Sequence, residues 1–305
     1  MPEPIDDLIR LLAPILGEPG GTPEALMGGI TNRNFKMRLG EADYVVRVTS
    51  PESEYLAIDR TAEHEASRAA AQVGVGPEVA AFLPQHGCLV TNFIPGRPLP
   101  PEELRAATAL SQVAAAVRAF HEGPVIPSRF SPFRVVQSYA ETAERHGATI
   151  PRDYGEALRI GSQIESALHG PEHAPVPCHN DLLNANMIHD GSRVWLVDWE
   201  YAGMGDRYFD LGNLSINNGF TEADDERLLL AYFGGPDPGG RFAGLRLMRI
   251  MSDFREAMWG VVQSVVSPLD FDYPSYSVRH FERLRASAAD PCYRDWLEAA
   301  GASHV

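Results

Sequence analysis

The proline-rich segment PGRPLPP, at residues 95–101, separates two parts of the chain with different hydrophobic patterns. Short apolar runs typical of strands precede it, at 24–29, 34–39, 43–49, 77–83 and 87–94, with helical patterns at Ile5–Leu16 and 61–74. Helical patterns follow it, interrupted by a β-rich insert at 175–200. The sequence therefore predicts an α+β protein with two lobes: a small antiparallel-sheet lobe (1–95) and a larger, mainly helical lobe (96–305).

Charge and composition exclude several classes of protein. The chain has 26 Lys and Arg against 41 Asp and Glu, and no basic cluster, so we expect no nucleic-acid partner. Its three cysteines are far apart, which indicates neither a disulfide framework nor a thiolate zinc site. No run reaches the roughly 18 apolar residues of a membrane span. We therefore expect a cytoplasmic protein without a membrane span; its oligomeric state is open, a homodimer being one alternative.

The stretch CHNDLLNANMIHDGSRVWLVDWEY, at 178–201, combines polar residues with two short apolar strands. The sequence between those strands, around Asp190 and Gly191, has good hairpin-turn chemistry. Such a hairpin brings Asn186, before the first strand, close to Asp198, at the end of the second. Asp181 lies five residues before Asn186, so the three side chains can converge.

This convergence favours phosphoryl transfer over a purely structural role. Two oxygen ligands suit a hard cation such as Mg²⁺, and a third carboxylate suits a group that orients or deprotonates a hydroxyl. Individually, Asn and Asp are common in turns. A zinc site is less favoured because His179 and its neighbours lack metal-ligand spacing. We interpret His179 and Asn180 as residues that brace the loop.

The motifs HNDLLNANM and LVDWEY resemble those of the aminoglycoside phosphotransferase superfamily, and DWEYAGMGDRYFDLGN resembles its choline/ethanolamine kinase branch. This resemblance implies a protein-kinase-like fold and ATP and Mg²⁺ as cofactors. It implies that Asp181 is the catalytic base and that Asn186 and Asp198 bind magnesium. Glu200 would add a contact near the metal or the substrate, and Asp210 would brace the catalytic loop.

The first lobe contains a candidate phosphate-binding turn in GGITNRNF. Glycines allow close backbone approach, and backbone N–H groups in such a turn can face phosphates. The turn resembles the GG-x-(S/T)-N loop of the family, although a plain hairpin turn is an alternative. The residues predicted to bind the nucleotide here are Gly28, Gly29, Thr31 and Asn32.

Two further elements complete the predicted nucleotide site. Arg47, in the strand YVVRV, occupies the position where a protein kinase has lysine, and arginine can bind phosphate. Its carboxylate partner is predicted on the following helix, with Glu65 as the first choice and Glu63 as the second. By position, the backbone of Asn92, Phe93 and Ile94 resembles the family's adenine-binding hinge.

The late helix MSDFREAMWGVVQ carries a candidate acceptor site. Ser252, Glu256, Trp259 and Gln263 are spaced for one helical face. A carboxylate beside an aromatic ring is typical of an ammonium site, although a core Trp and a surface Glu are the alternative. Other residues predicted to contact the acceptor are Trp199, Glu200 and Tyr201, with Asp206 and Asp253 as further acids.

Together these features predict an enzyme, an ATP-dependent kinase of a small amino alcohol such as choline or ethanolamine. One alternative is another small hydroxylated acceptor: an aminoglycoside, thiamine or a sugar alcohol. A catalytically silent nucleotide-binding protein is a further alternative, disfavoured because Asp181, Asn186 and Asp198 are all present.

Overall fold

The computed structural model describes residues 5–26, 32–50, 55–56, 58–237 and 239–302 of the 305-residue chain. The segment at residues 95–101 lies between a sheet and a mainly helical region. Five strands form an antiparallel sheet before it, in the order β1-β2-β3-β5-β4. Their bounds are Glu24–Leu26 (β1), Asn32–Leu39 (β2), Ala42–Thr49 (β3), Val79–Leu83 (β4) and Cys88–Asn92 (β5).

Apolar side chains that alternate with polar ones along β2 and β3 form the core of the first lobe. Met37 and Val46 point to one face of the sheet and pack with Leu8 and Leu12 of helix α1, Ile5–Leu16. The two strands are joined at Gly40, which has a positive φ of 57°; an added Cβ there would lie 2.7 Å from the Leu16 carbonyl oxygen. The turn and its contact with α1 therefore require glycine.

Helix α2 (Arg60–Gln72) connects the two halves of the molecule. Asp59 caps its N-terminus by accepting hydrogen bonds from the N–H groups of Thr61 and Ala62. Its buried residues Ala66 and Ala70 belong to the larger hydrophobic core, which the second lobe dominates. The helix is thus fixed against both lobes, which positions its first turn over the cleft between them.

Helices make up most of the second lobe, as predicted. They are α3 (Pro101–Leu104), α4 (Ala107–His121), α5 (Pro132–Arg145), α6 (Tyr154–Ala167), α7 (Arg207–Asn217), α8 (Glu222–Phe233), α9 (Arg241–Val266), α10 (Tyr273–Ala288) and α11 (Tyr293–Ala302). The 26-residue helix α9 is largely buried at the centre. No helix among the described residues is both long and apolar enough to cross a membrane.

One predicted helix, 102–123, is divided into α3 and α4 by a turn at 105–106. Leu104 and Leu110 are both buried. Six residues of a continuous helix would place their side chains about 120° apart around its axis. The turn allows both leucines to enter the same core.

The predicted β-rich insert at 175–200 contains three short strands, a fourth lies just beyond its end, and β6 (Arg97–Pro98) is added at its edge. β7 (Val176–Cys178) pairs with β10 (Gly203–Gly205). β8 (Met187–His189) and β9 (Val194–Leu196) form the predicted hairpin, which is confirmed. The stretch at 178–201 thus starts in β7, passes through the hairpin and leads into β10.

Candidate active site

The hairpin brings the three predicted phosphoryl-transfer residues into one region. The Val197 N–H donates to the Asn186 carbonyl at 3.0 Å, which sets Asp198 next to Asn186. The Asn186 side-chain amide donates to the Asp181 carbonyl at 2.9 Å and approaches Asp181 Oδ2 at 3.3 Å. Because its nitrogen faces Asp181, the side-chain oxygen of Asn186 is the group left to act as a ligand.

Asp210, in α7, holds the loop before Asp181. Its carboxylate accepts hydrogen bonds from the N–H groups of His179, at 2.7 Å, and Asn180, at 2.6 Å. It also lies 2.9 Å from Nε2 of the buried His121. Asn180 has a left-handed backbone, with φ of 65°, so these bonds stabilise a conformation that few residues adopt. The contacts are those expected of a bracing carboxylate.

His179 also braces the loop. Its Nε2 lies 2.9 Å from the Val197 carbonyl and therefore carries the proton, while Nδ1 accepts the Asp181 N–H at 3.3 Å. Burial lowers the pKa of His179, which favours this neutral form. Its ring packs against Trp199, with centroids 4.5 Å apart.

Asp181 is partly buried, with its side chain 14% exposed, in a charged environment. Burial raises its pKa to about 7, although the neighbouring Arg255 guanidinium acts in the opposite direction. Nη1 of Arg255 lies 3.0 Å from Asp181 Oδ1. Arg255 was not among the residues predicted from the sequence, although it directly precedes Glu256. A charged side chain on the apolar face of a long helix was the signal that could have identified it.

Arg47 lies beneath the hairpin and bridges two carboxylates. One ion pair is with Glu63 of α2 and the other is with Asp198. Burial alone would lower the pKa of Arg47, but Asp198 and Glu63 hold it well above the ordinary value. The guanidinium is therefore fixed as a cation beside the predicted metal ligand.

The predicted pairing of Arg47 with Glu65 is wrong, because Glu63 occupies that place. Two residues along a helix correspond to a rotation of about 200°, so the two side chains face opposite sides of α2. The Glu65 side chain is 42% exposed and lies near His64 and Arg68.

Glu63→Ala and Glu65→Ala should therefore differ in stability. Loss of Glu63 removes one buried carboxylate from both Arg47 and Arg60, which keep Asp198 and Glu200, and we expect the free energy of unfolding to fall by about 1–3 kcal/mol. Loss of Glu65 should change it by about 0.5 kcal/mol or less. Urea denaturation of both variants measures the difference. Equal losses would contradict the assigned pairing.

A cleft of about 370 Å³ lies between the lobes, where the resemblance places the nucleotide. Val45, Leu89 and Ile188 provide apolar walls, while Arg47 and Asp198 lie on its polar side. Gly28, Gly29 and Thr31, predicted to cover the phosphates, are outside the described residues. The cleft thus combines an apolar part that can accommodate a base with a charged part for phosphates.

The predicted hinge lines this cleft, but its backbone N–H groups differ in whether they already donate a hydrogen bond. The N–H of Asn92 donates to the Glu78 carbonyl, and that of Phe93 to the Asp43 carbonyl, both at 2.9 Å. These two N–H groups therefore cannot also bind a base, which corrects that part of the prediction. Among the described residues, the Ile94 N–H has no such partner and remains available.

Asn32 and Glu200 form a second polar cluster at the cleft. The Asn32 amide donates to Glu200 at 2.7 Å, and Arg60 contacts both side chains, at 3.0 and 3.2 Å. Glu200 is buried and faces the first lobe. Its prediction as a substrate contact is therefore not supported, because its carboxylate is bound to residues of the nucleotide side.

Trp199 likewise lies away from the predicted acceptor wall. Its ring packs on Phe120, with centroids 4.3 Å apart, and its Nε1 lies beneath Gly76. It borders the interlobe cleft, and its neighbours belong to the core. The prediction that Trp199 encloses the acceptor is therefore wrong, because the Trp199 ring packs into this core.

Two of the predicted acceptor residues, Glu256 and Trp259, meet through Tyr276. Glu256 accepts a hydrogen bond from the Tyr276 hydroxyl at 2.6 Å and contacts Arg255 at 2.6 Å. Trp259 packs edge to face with Tyr273 and Tyr276, at centroid distances of 5.9 and 5.6 Å. Sequence reasoning missed both tyrosines, which come from the next helix, α10.

Three other residues predicted at the acceptor site, Gln263, Asp253 and Asp206, lie in surroundings that differ from those of Glu256. Gln263 is buried further along α9. Asp253 is occupied by His280 and Arg283, and Asp206 caps α7 and contacts His173. Glu256 is therefore the acid of the predicted set that stands among the aromatic rings.

The donor set at the hairpin fits a hard divalent cation. Asn186 offers an amide oxygen and Asp198 a carboxylate, the ligand types that magnesium prefers. Asp198 has a left-handed backbone, with φ of 68°, a strained conformation typical of functional sites. In the described part of the chain, its buried Oδ1 is in ion-pair contact with Arg47 but accepts no hydrogen bond of regular geometry. Because Arg47 holds Oδ1, the other carboxylate oxygen, Oδ2, is the one that can coordinate a metal.

Comparisons with known proteins agree with this geometry. Residues 22–247 match the sequence profile described as "Phosphotransferase enzyme family". A probable ethanolamine kinase A from Dictyostelium discoideum is 26% identical over 297 residues, covering 86% of this chain and 84% of that relative. Among solved structures, a choline/ethanolamine kinase family protein from Mesorhizobium loti superposes with a TM-score of 0.83 at 32% identity, covering 97% of this chain and 99% of the other.

Solved structures with lower sequence identity share the same fold. Choline kinase LicA from Streptococcus pneumoniae has a TM-score of 0.79 at 23% identity and covers 93% of this chain and 98% of its own. At this identity the likeness shows the fold alone. The predicted protein-kinase-like fold and family resemblance are confirmed.

Proposed function

Because the chain belongs to the phosphotransferase enzyme family, we propose that it transfers the γ-phosphoryl group of ATP to the hydroxyl of a small amino alcohol, choline or ethanolamine. Its similarity to proteins named as ethanolamine and choline kinases supports this acceptor class. The proposal includes a nucleotide-binding lobe at 1–95, a catalytic lobe at 96–305, and a cytoplasmic location, where ATP is available.

Each part of the site has a role in this proposal. Asp181 would orient the acceptor hydroxyl and take its proton as the oxygen attacks the γ-phosphorus. Asn186 and Asp198 would hold Mg²⁺, which, when bound, neutralises charge on the transferring phosphate. Arg47 would donate to phosphate oxygens once the nucleotide is present. The apolar walls of the interlobe cleft would enclose adenine, with the Ile94 N–H as its backbone donor.

The observation that carries the choice of acceptor is the group of aromatic rings around Glu256. Trp259, Tyr273 and Tyr276 provide ring faces and edges next to this carboxylate. Aromatic faces and a carboxylate together stabilise an ammonium group by cation–π and Coulomb interactions. The acceptor hydroxyl would then reach Asp181, which is joined to Glu256 through Arg255.

A polycationic acceptor such as an aminoglycoside is less compatible with these contacts. It would need several carboxylates around it, whereas Asp253 and Asp206 lie against basic side chains away from the aromatic rings that surround Glu256. Thiamine and sugar alcohols remain alternatives that the acceptor assay addresses directly. A silent binding protein is disfavoured by the convergence of Asp181, Asn186 and Asp198.

Acceptor-dependent release of ADP tests the proposal. We expect turnover with choline or ethanolamine, and none above the ATP-only rate with an aminoglycoside, thiamine or a sugar alcohol. Trp259→Ala should raise the KM for the amino alcohol about 2- to 30-fold, the loss of about 0.5–2 kcal/mol of cation–π energy. Trp296→Ala is the matched control, because Trp296 is similarly buried (9% exposed against 7%) but lies in α11. Turnover with aminoglycosides alone would overturn the choice of acceptor.

A further inference from the structure

Arg255 is the charged residue of the site to which the proposed mechanism gives no direct role. Its side chain is only 2% exposed. Nη1 contacts Asp181 Oδ1 at 3.0 Å and Glu256 Oε1 at 2.6 Å. The central guanidinium carbon lies 4.4 Å from the centroid of the Tyr201 ring. One guanidinium therefore joins the proposed base, the acceptor carboxylate and an aromatic face.

A single further cation would neutralise the formal charge of this cluster. Asp181 and Glu256 contribute two negative charges when ionised, and Arg255 contributes one positive charge, a net charge of −1. A buried unpaired charge is costly, so one ammonium group would complete the cluster. A second ammonium would lie next to a guanidinium without a carboxylate of its own, and like charges in a buried site repel strongly.

The arrangement of the aromatic rings also favours a single substrate cation. The guanidinium lies over the Tyr201 ring and thus takes one of the faces that could have received a substrate cation. The rings of Trp259 and Tyr276 remain on the other side of Glu256. The Tyr201 hydroxyl is buried and has no hydrogen-bond partner among the described residues, so this side of the cluster retains a polar group for a ligand.

We propose that Arg255 is a specificity-determining residue that restricts the acceptor to an amino alcohol with a single positive charge. It occupies the place that a second substrate cation would need, and it keeps Asp181 and Glu256 at a fixed separation. The hydroxyl and the ammonium of the acceptor must match that separation. This inference rests on the proposed function, because it specifies the substrate class of the same acceptor site.

The test compares ethanolamine with 1,3-diamino-2-propanol, at a pH at which both amines of the latter are protonated. The wild type should have the higher kcat/KM for ethanolamine. Arg255→Gln removes the resident charge and should shift the ratio towards the diamine by about tenfold or more, with the KM for the diamine falling. Arg249→Gln is the control: this arginine is also ion-paired in the interior, with Asp225, and its loss should leave the ratio unchanged.

Arg255→Lys keeps the charge but cannot reproduce the planar contact with both carboxylates and the Tyr201 ring. It should retain the preference for ethanolamine at a lower kcat, and it provides the test if Arg255→Gln does not fold. An unchanged ratio in Arg255→Gln, or a lost preference in Arg255→Lys, would overturn the inference while leaving the proposed function intact. Absence of turnover with any amino alcohol in the wild type would instead overturn the proposed function.

Discussion

Asp181→Asn should lower kcat by about 10²–10⁴-fold, the usual contribution of a positioned general base. The substituted amide keeps the size of the side chain but cannot accept the hydroxyl proton. Because Asp181 does not line the interlobe cleft, the Kd for ATP should change little. Coupled ADP release gives kcat, and isothermal titration calorimetry gives the affinity for the nucleotide.

Asp190→Asn is the matched control for this substitution. Asp190 lies in the same hairpin, where it accepts hydrogen bonds from Ser192, Arg193 and Trp195, but it is at the exposed end remote from Asp181. Its loss should affect stability more than turnover. If Asp181→Asn retained kcat within about threefold of the wild type, Asp181 could not be the base.

Asp198→Asn should lower kcat/KM for ATP by about 10²–10³-fold at ordinary Mg²⁺ concentrations, the range seen when one preorganised electrostatic contact to the transition state is removed. It takes away the only carboxylate of the proposed metal pair and also one partner of Arg47. Carboxylates bind magnesium more strongly than amides because they carry a full charge. The dependence of the rate on Mg²⁺ should therefore shift to higher concentrations.

A magnesium titration separates this role from that of Asp181. Excess Mg²⁺ should partly restore turnover in Asp198→Asn, because the defect is in binding the ion. The same excess should not restore Asp181→Asn, because the defect is in the reaction itself. Identical Mg²⁺ dependence of wild type and Asp198→Asn would remove Asp198 from the metal site.

The parts of the site that lie close together in sequence could be predicted from it. A hairpin over 187–196 follows from its turn and apolar strands, and once it forms, Asn186 and Asp198 must be neighbours. The division into a sheet lobe and a helical lobe follows from the change in hydrophobic period at 95–101. Both inferences depend on local patterns.

The errors concern side chains whose direction depends on distant contacts. Glu63 and Glu65 are equivalent by spacing from Arg47, and only the packing of α2 against both lobes decides between them. Trp199 directly follows Asp198 in the sequence, but its ring packs in the core against Phe120. The position of Arg255 on an apolar helical face can be read from the sequence, but its partner, Asp181, is 74 residues away and cannot. Tertiary contacts of this kind leave no periodic signal in a single sequence.

The proposed transfer of a phosphoryl group from ATP to an alcohol can be followed by ³¹P NMR of a reaction with ATP, Mg²⁺ and choline or ethanolamine. We expect the γ-phosphate resonance to decline while a phosphomonoester resonance of the amino alcohol grows in equal amount. This transfer should be absent in Asp181→Asn. Loss of the γ-phosphate to inorganic phosphate alone, with no phosphomonoester formed, would contradict the proposed phosphoryl transfer.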